Sequence, residues 1–310
     1  MLKDMNFLKN SSVIDSNNLC DELMNQSIQT VEKAPFLDTN KTDSNVDQEK
    51  LYEFYNLSRY YDLAFARDAD RDIEFFSRCF KRYSNNNIKN LLEPACGPGL
   101  FLEHVPKYGY SILGYDLNPS MIEFSKERLQ KSNIPSHIAD AVIGNMVNGK
   151  FDKKFDAAFI CINSLGYLRK DEDIKSHFQN TSNSLNDGGF YIIELSCKCD
   201  DIRNEKKIDD TWYVNKDGIE LEVLWEINWY DIEKRIRHVD FKMKVIDNGV
   251  SFVVEESHDL RLWIYDEFKE FARSAGFEIL GIFNQNYEEV STLKPITGEL
   301  GALFFILKKI

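Results

Sequence analysis

A predicted strand-to-helix turn combines one acidic residue with closely spaced small residues, a pattern that suits the binding of a nucleoside. Glu93 is followed by Ala95, Gly97 and Gly99, between an apolar stretch and a helical pattern. Glycines at such a turn let the backbone bend tightly and approach a ligand closely. The dinucleotide fingerprint needs a third glycine that is absent here, so the turn predicts a ligand without a pyrophosphate.

A second acidic residue ends the next predicted strand and completes this pattern. Asp116 follows residues 111–115 and lies 23 positions after Glu93. A carboxylate at the end of that strand can accept both hydrogen bonds of a ribose diol. The two acidic residues therefore predict a nucleoside site at the carboxyl ends of neighbouring parallel strands.

The elements that must position these residues alternate between strands and helices. Apolar runs predict strands over residues 90–94, 111–115, 141–144, 155–161 and 190–195. Helical periodicity predicts helices over residues 70–83, 100–108, 120–130 and 172–185, and a turn follows at 187–189. Repeated strand–helix units with apolar strands predict an α/β fold whose doubly wound, mostly parallel sheet is covered on both faces. A last helix and two strands, at residues 266–275, 277–283 and 302–307, bring the sheet to seven strands.

A different pattern separates the fifth strand from the last helix. Apolar residues alternate with polar ones over residues 219–229 and again over 239–245, which is typical of half-buried antiparallel strands. Asn248 and Gly249 form a strong signal for a two-residue hairpin turn. We therefore predict an antiparallel β-meander insert of about four strands after the fifth strand.

The chain divides into three predicted parts. Residues 1–48 form a polar tail with few apolar side chains. Within this tail, residues 19–31 keep an apolar face that would suit a helix docked over a cleft, and the alternative is a flexible leader. The α/β domain comprises residues 49–199 and 260–310, and the insert comprises residues 200–259.

The composition excludes several classes of function. The 310 residues include 38 Lys and Arg against 51 Asp and Glu, so the formal net charge is −13. This acidic balance disfavours binding to nucleic acid phosphates, and no apolar run approaches the roughly 20 residues that cross a bilayer. We expect a cytoplasmic protein with no secretory signal, no nucleic acid partner and no membrane partner. The six cysteines are scattered and only Cys197 and Cys199 are close, so we expect neither a disulfide scaffold nor a metal site.

These motifs resemble those of class I S-adenosylmethionine-dependent methyltransferases. The first motif of that family runs acidic–x–small–x–Gly–x–Gly, which Glu93, Ala95, Gly97 and Gly99 supply, although Ala95 stands where the family usually has Gly. Asp116 matches the acidic residue that binds the ribose. The resemblance implies S-adenosyl-L-methionine as the methyl donor and S-adenosyl-L-homocysteine as the product.

A further segment resembles the Gly-Asp-Met of the family beside the adenine. In Gly144-Asn145-Met146 the Asp is replaced by Asn145, whose side-chain carbonyl can still accept from the adenine amino group. A rival alignment puts Asp140 at that position. Asn145 is preferred because its spacing before residues 155–156, which resemble the fourth-strand motif, matches the family. The resemblance implies a set of donor-binding residues: Tyr61, Glu93, Ala95, Cys96, Gly97, Gly99, Asp116, Leu117, Asn145, Met146, Cys161 and Asn163.

Three other segments resemble amino-sugar N-methyltransferases and related small-molecule N- or O-methyltransferases. They are residues 60–62, 163–168 and 298–303. The resemblance implies that Tyr61 and the antiparallel sheet close over the donor and a small-molecule acceptor. Two alternatives remain: a catalytically silent binding subunit that uses the insert as an interface, and a methyltransferase that acts on protein or RNA.

Three polar residues near the predicted cleft could act on the acceptor. His258, where the insert rejoins the sheet, could accept a proton, or it could be a hydrogen-bonded strand histidine. Arg261 could hold an acidic group of the acceptor, or it could pair with one of the many carboxylates. Glu194, near the end of the fifth strand, could orient an amine. His177 lies in a predicted helix and is expected on the surface.

The insert carries more than half of the net charge. Residues 200–259 contain 16 acidic and 9 basic residues, a net of −7 out of −13. An acidic lid would favour a cationic amine as acceptor, whereas charges on solvated strands need no partner. The sequence thus favours an amine over a hydroxyl, and the insert could also join two copies of the chain into a homodimer.

Overall fold

The structure is a computed structural model that describes residues 53–84, 86–198, 208–290 and 301–310. Its helices are α1 (Glu53–Asn56), α2 (Ser58–Ala64), α3 (Ala69–Tyr83), α4 (Leu100–His104), α5 (Pro119–Lys131), α6 (Asp171–Ser184) and α7 (Tyr265–Ser274), and short 3-10 helices cover Val105–Tyr108 and Ser164–Tyr167. Among these described residues, no helix combines the length and the apolar character that a membrane span requires. The predicted tail and its helical stretch lie outside the described residues.

The strands form two sheets. The large sheet contains β1 (Asn90–Pro94), β2 (Ser111–Asp116), β3 (Ala139–Ile143), β4 (Phe155–Ile160), β5 (Leu185–Lys198), β10 (Trp263–Ile264), β11 (Phe277–Phe283) and β12 (Ala302–Lys309). The second sheet contains β6 (Ile208–Lys216), β7 (Ile219–Asp231), β8 (Ile236–Asp247) and β9 (Val250–Arg261). In the described part of the chain, seven strands of the large sheet follow the order β11-β12-β5-β4-β1-β2-β3, and β10 pairs with β5.

Strand β1 lies at the point where the chain reverses its direction across the large sheet. It pairs in parallel with β2 on one side and with β4 on the other. The pairs β2–β3 and β4–β5 are also parallel, whereas β12 is antiparallel to both of its neighbours. Ligands of open α/β sheets bind at the carboxyl ends of the strands beside such a reversal. The predicted doubly wound, mostly parallel α/β fold is confirmed.

Helices cover both faces of the large sheet. On one face α3, α4 and the sheet bury Phe76, Phe101 and Phe159, each at most 3% exposed. On the other face α6 and α7 bury Phe178 and Phe268 completely. Because both faces are buried, the parallel strands need apolar residues at successive positions, which explains their continuous apolar runs.

The second sheet is the antiparallel meander that the alternating pattern predicts, and it lies between β5 and β10 in the chain. Each of its strands pairs antiparallel with the next. Its inner face buries Ile219, Leu221 and Val223 against Phe54 of α1 and Leu63 of α2. The two short helices therefore owe their position to this sheet, since burial of an amphipathic face is the main source of helix stability in proteins.

One predicted boundary is wrong. The turn expected at residues 187–189 belongs to β5, which begins directly after α6 at Leu185. The pairing of β4 with β5 shifts register between Phe155 and Ala157, and Gly188 takes a φ of 74° within this irregular stretch. The glycines thus allow an irregular strand start, because glycine adopts positive φ without steric cost.

Candidate active site

The turn between β1 and α4 forms the floor of a cleft at the carboxyl edge of the large sheet. Ala95, Gly97 and Gly99 all have positive φ, at 53°, 51° and 77°. A Cβ on Gly99 would lie 2.8 Å from the Oγ of Ser125 in α5, so only glycine fits there. Ala95 adopts the same left-handed region with the smallest side chain that carries a Cβ. The turn is therefore as tight as the sequence motif predicts.

This cleft, named the donor cleft, extends from the glycine turn to the end of β4. Its lining includes Glu93, Cys96, Tyr61 and Cys161. The Tyr61 ring lies over the turn, 3.9 Å from the position that a Cβ would take on Gly97. Cys96 is 5% exposed and also belongs to the hydrophobic core. Tyr61 thus covers the glycine turn, as the resemblance implies.

Asp116 lies beside the donor cleft at the end of β2. Its two carboxylate oxygens accept hydrogen bonds from the backbone N–H groups of Gly97 and Asn118, each at 2.9 Å. Burial raises the pKa of Asp116, and these backbone hydrogen bonds oppose the rise because they stabilise the ionised form. Each oxygen keeps a further lone pair, so the carboxylate can still accept from a ribose diol.

Glu93 carries a buried oxygen that finds no hydrogen-bond partner among the described residues. The side chain is 4% exposed, and this atom is Oε2. Burial, together with the nearby carboxylate of Asp116, raises the pKa of Glu93 well above its usual range. An uncompensated buried carboxylate is costly, and a cationic ligand group would remove that cost. The amino group of S-adenosylmethionine is such a cation, so Glu93 and the glycine turn fit this donor.

The ends of β2 and β3 offer an apolar surface beside Asp116. Leu117 is 50% exposed and Ile143 is 62% exposed, and flat ligands bind between apolar side chains of this kind. Asn145 follows β3, and its side-chain oxygen accepts from the Val147 N–H at 2.8 Å. Asp140 lies within β3, three positions before the end of the strand. The position at the carboxyl edge favours Asn145 over Asp140 as the residue beside the base.

The turn after β4 is strained, and hydrogen bonds of the Glu194 and Asn163 side chains hold it in place. Ile162 and Asn163 have φ of 53° and 56°, which is unusual for asparagine and an outlier for a β-branched residue. Glu194 accepts from the Ile162 N–H at 2.9 Å, and the Asn163 side-chain oxygen accepts from the Ser196 N–H at 3.0 Å. Glu194 and Asn163 therefore fix the cleft wall that also contains Cys161.

Glu194 lies in a buried ion-pair network. Arg67 donates to its Oε2 at 2.6 Å and also pairs with Asp72 at 2.7 Å. Tyr287 donates to Asp72 at 2.6 Å. Since a cation already neutralises the Glu194 carboxylate, the expected role of orienting an amine has no support from this geometry, and the network instead joins β5 to α3.

Arg261 lies apart from the donor cleft. Its guanidinium donates to Asp171 at 2.7 Å and to the backbone oxygen of Arg169 at 3.1 Å. It also lies over the rings of Trp263 and Phe271, with distances of 5.3 and 5.4 Å to the ring centroids. These contacts match the ion-pair alternative for Arg261 and not the binding of an acidic acceptor group.

A chain of hydrogen bonds lies where α1, the second sheet and the turn after β4 meet. The hydroxyls of Tyr55 and Tyr167 are hydrogen-bonded, and the Tyr167 hydroxyl lies 3.2 Å from Nδ1 of His258. The Nε2 of His258 lies 3.5 Å from Oε2 of Glu256, whose Oε1 accepts from the Phe54 N–H at 2.8 Å. This group of residues, from Tyr55 to Glu256, is named the tyrosine–histidine chain.

Aromatic rings enclose His258, which is 1% exposed. The rings of Trp225 and Phe241 have centroids 5.9 and 6.4 Å from that of the imidazole. Burial is the main reason that the pKa of His258 falls to about 4. The imidazole is therefore neutral at pH 7 and can accept a hydrogen bond. Tyr55 reaches back toward the donor cleft, since its ring centroid lies 5.4 Å from that of Tyr61.

Most charges of the second sheet lie on its outer face. Glu220, Glu222 and Glu255 are exposed and alternate with buried apolar residues, whereas Glu256 is half-buried on the inner face with His258. This arrangement matches the alternative in which solvated strands carry the charge. Among the described residues of the insert, the exposed carboxylates on the outer face therefore give no support for a cationic acceptor.

His177 is fully buried, contrary to the expectation of a surface position. Its Nδ1 lies 2.9 Å from the backbone oxygen of Met146, and its Nε2 lies 2.6 Å from the hydroxyl of Tyr191. The helical spacing contains the missed signal, because His177 follows Ile174 by three positions and precedes Thr181 by four, and both are buried. A residue at such positions shares the buried face of its helix.

Sequence reasoning also missed Tyr55, Tyr167 and Glu256 as site residues. Tyr55 stood within an aromatic-rich stretch without a motif, and Tyr167 lay within residues 163–168, which resemble amino-sugar N-methyltransferases, but no role was assigned to its side chain. Glu256 occupies a polar position two residues before His258 in an alternating strand, so the two share one face. For Glu256, that pairing was the signal available in the sequence.

Comparison with known proteins identifies a domain and a fold. Residues 91–189 match the family described as methyltransferase domain. A dTDP-3-amino-3,4,6-trideoxy-alpha-D-glucopyranose N,N-dimethyltransferase of Streptomyces venezuelae is 26% identical over 149 residues, which are 48% of this chain and 57% of that protein. Residues 91–189, which match the family, run from β1 to the start of β5 and include the glycine turn and Asp116.

Two solved structures share the fold over most of the chain. An S-adenosylmethionine-dependent methyltransferase from Clostridium acetobutylicum ATCC 824 has a TM-score of 0.65 at 17% identity, over 83% of this chain and 98% of that one. The sugar N-methyltransferase KedS8 from Streptoalloteichus sp ATCC 53650 has a TM-score of 0.64 at 17% identity, over 89% and 99%. These similarities extend beyond the matched domain, because each covers more than four fifths of this chain.

Proposed function

We propose that the chain, whose residues 91–189 match a methyltransferase domain, is a class I S-adenosylmethionine-dependent methyltransferase that methylates an amine nitrogen of a small molecule. When bound, the donor supplies an electrophilic methyl group on a sulfonium. The observation that carries the proposal is the tyrosine–histidine chain, which ends at Tyr55 beside the donor cleft.

The residues of the donor cleft have separate tasks in this proposal. Asp116 accepts hydrogen bonds from the ribose diol, and Glu93 faces the cationic amino group of the donor. Tyr61 closes over the glycine turn and keeps water away from the reacting groups. Leu117 and Asn145 contact the base.

The tyrosine–histidine chain has a defined direction. We assign the proton of His258 to Nε2, which lies 3.5 Å from the Glu256 carboxylate, so that Nδ1 is the acceptor. Tyr167 then donates to Nδ1, and Tyr55 donates to the Tyr167 oxygen. We propose that the Tyr55 oxygen, at the end of this chain, accepts from an N–H group of the substrate.

This direction suits an amine that binds in its neutral form. The ammonium loses its proton to water, and Tyr55 then accepts a hydrogen bond from one remaining N–H, which turns the nitrogen lone pair toward the methyl carbon. The N–C bond forms while the C–S bond breaks, and the electron pair of the broken bond stays on sulfur. The chain therefore orients the nucleophile and does not have to remove its proton.

The same reasoning disfavours a hydroxyl acceptor. An aliphatic hydroxyl reacts well only after losing its proton, which requires a base of matching strength. His258, with a pKa of about 4, is far too weak for that purpose. An amine is the acceptor class that these groups serve, and the similar protein of Streptomyces venezuelae is named as an N,N-dimethyltransferase of an amino sugar.

A methyl-transfer screen tests this proposal. The protein is incubated with donor carrying a labelled methyl group and with matched pools of amines, alcohols, phenols and carboxylates, amino sugars included among the amines. Mass spectrometry then locates the label. We expect N-methylated products from the amine pool, with a rate that rises with pH as the ammonium form of the acceptor loses its proton.

Three outcomes would contradict parts of this proposal. Labelled products from the hydroxyl pools alone would overturn the amine assignment while leaving the enzyme class intact. Labelled protein or RNA in a lysate, with no small product, would replace the small-molecule class. Binding of S-adenosylhomocysteine without turnover on any pool would favour a silent binding subunit. Association of two copies through the second sheet stays a prediction.

A further inference from the structure

The loop after β3, residues 144–149, lies directly on one aromatic ring. The Tyr115 ring of β2 is 3% exposed and fills the space beneath the loop. A Cβ on Gly144 would lie 3.1 Å from this ring, and a Cβ on Gly149 would lie 3.3 Å from it. The Gly144 N–H donates to the backbone oxygen of Asp116 at 2.9 Å. The loop is therefore held from below at both ends, next to the strand that carries the ribose-binding carboxylate.

Helix α6 holds the same loop from its other side. Asn180 donates from Nδ2 to the backbone oxygen of Val147 at 2.7 Å, and His177 contacts the backbone oxygen of Met146 through Nδ1. Because a carbonyl can only accept, Nδ1 of His177 carries the proton, and Nε2 accepts from the Tyr191 hydroxyl. Both ring nitrogens of this fully buried histidine are thus satisfied. Burial lowers its pKa to about 4, which keeps the imidazole neutral.

We infer that His177 is a positioning residue of the donor site, which fixes the loop of residues 144–149 against the adenine of the donor. This inference rests on the proposed function, because it assumes that the loop contacts the adenine. His177 and Asn180 occupy the carbonyls of two successive peptide groups, Met146 and Val147. With those carbonyls tied to α6, the loop presents one arrangement of its remaining polar groups, including the Asn145 side chain, to the base.

The inference is tested with variants of the full chain. His177→Phe keeps a ring of similar size and removes the donor to Met146, while His177→Asn keeps a donor near the position of Nδ1. Asn180→Ala removes the second contact from a half-buried position, and Ser176→Ala, on the exposed face of the same helix, is the matched control. For each variant, calorimetry gives the affinity for S-adenosylhomocysteine and for its deaminated analogue S-inosylhomocysteine, and kinetics give the KM of the donor and kcat.

We expect His177→Phe to weaken the binding of S-adenosylhomocysteine about tenfold and to raise the KM of the donor to the same extent, because Met146 loses its partner. The preference for the adenosyl over the inosyl compound should fall in parallel, and kcat at saturating donor should stay within about twofold of wild type. His177→Asn should restore most of the loss, Asn180→Ala should cost about threefold, and Ser176→Ala should change nothing.

A purely structural histidine would give a different result. In that case His177→Phe lowers the melting temperature but leaves the affinity and the adenosyl preference unchanged, which overturns the inference. If His177→Phe does not fold, Asn180→Ala decides, and unchanged binding in that variant overturns the inference as well. Failure of the wild-type protein to bind S-adenosylhomocysteine at all would instead contradict the donor assignment under the proposed function.

Discussion

The donor cleft and the tyrosine–histidine chain are built from different kinds of contact. The donor cleft uses backbone turns at the ends of adjacent parallel strands, and Gly97 and Asp116 are only 19 positions apart. The tyrosine–histidine chain uses side chains from three distant segments: Tyr55 and Tyr167 are 112 positions apart, and Tyr167 and His258 are 91 apart. One region depends on local backbone geometry, and the other depends on the packing of the second sheet against α1.

This difference teaches that the two halves of the site respond differently to substitution. A change in the donor cleft alters a turn that carries several ligand contacts at once. A change in the tyrosine–histidine chain removes one hydrogen bond among side chains that stay packed in an aromatic cluster. We therefore expect one substitution in the donor cleft to cause a large loss of donor binding. One substitution in the tyrosine–histidine chain should lower the turnover of the acceptor only in part.

The largest effect is expected for Gly99→Ala. The new Cβ would lie 2.8 Å from Ser125 at a φ of 77°, so the turn must move. We expect the affinity for S-adenosylhomocysteine, measured by calorimetry, to fall at least about a hundredfold. Gly109→Ala is the matched control, since Gly109 has a φ of 79° with nothing within 4 Å of its Cβ position. Equal binding losses in both variants would mean that backbone strain, and not the donor turn, is responsible.

A smaller loss is expected for Asp116→Asn. The amide keeps one acceptor oxygen but not the charge, so the hydrogen bonds to the ribose and to the backbone weaken. We expect the affinity for S-adenosylhomocysteine to fall about thirtyfold, which corresponds to about 2 kcal/mol for charged hydrogen bonds. Asp140→Asn within β3 is the control and should leave the affinity unchanged. Unchanged affinity in Asp116→Asn would contradict the assignment of Asp116 to the ribose, and a loss in Asp140→Asn would favour Asp140 over Asn145 beside the adenine.

The tyrosine–histidine chain should respond in kcat. Tyr167→Phe keeps the ring and removes the hydroxyl that links Tyr55 to His258. We expect kcat with an amine acceptor to fall about tenfold, while the affinity for S-adenosylhomocysteine stays within about twofold of wild type. Tyr213→Phe, on the exposed face of β6, is the control for a lost hydroxyl. Weaker donor binding in Tyr167→Phe with an unchanged kcat would assign Tyr167 to the donor cleft instead.

The smallest effect concerns pH and compares two buried histidines, one beside each region. Burial lowers the pKa of His177 and of His258 to about 4, below the usual value of about 6.5 that the unfolded chain retains. As the pH falls from about 6.5 toward 4, the unfolded state binds protons that the folded state does not, so the free energy of unfolding decreases.

Each histidine should therefore contribute a loss of about 1 kcal/mol between pH 6.5 and 5.5. Urea unfolding of His177→Asn and His258→Asn should each show a pH dependence that is flatter than wild type by this amount. His137→Asn, at an exposed position, should follow wild type. Parallel curves for wild type and both buried-site variants would contradict the neutral state of these imidazoles.

Sequence reasoning recovers the fold and most of the donor cleft because their signals are local. The strand before Glu93, the glycine spacing and Asp116 lie within one strand–helix–strand unit, where neighbours in sequence are also neighbours in space. The second sheet is equally visible, since alternation along each strand reports its two faces. The ion pairs of Arg261 and Glu194 could not be chosen from the sequence, because many carboxylates and cations compete for each partner.

The parts that sequence reasoning misses depend on contacts between distant segments. Nothing near Tyr55 or Tyr167 indicates that their hydroxyls meet, because the meeting point is created only when α1 packs on the second sheet. His177 is a different case. Its helical position predicts burial, but the expectation that a helix histidine faces solvent outweighed that spacing.

The hydrogen bond from the Phe54 N–H to Glu256 joins residues that are 202 positions apart. During synthesis at about 5–20 residues per second, roughly 10 to 40 s separate the appearance of these two residues. For most of that interval the aromatic face of α1 and α2 has no sheet to cover it, because the strands that pack on Phe54 begin at Ile219. An early-binding chaperone would protect this exposed aromatic face of the nascent chain.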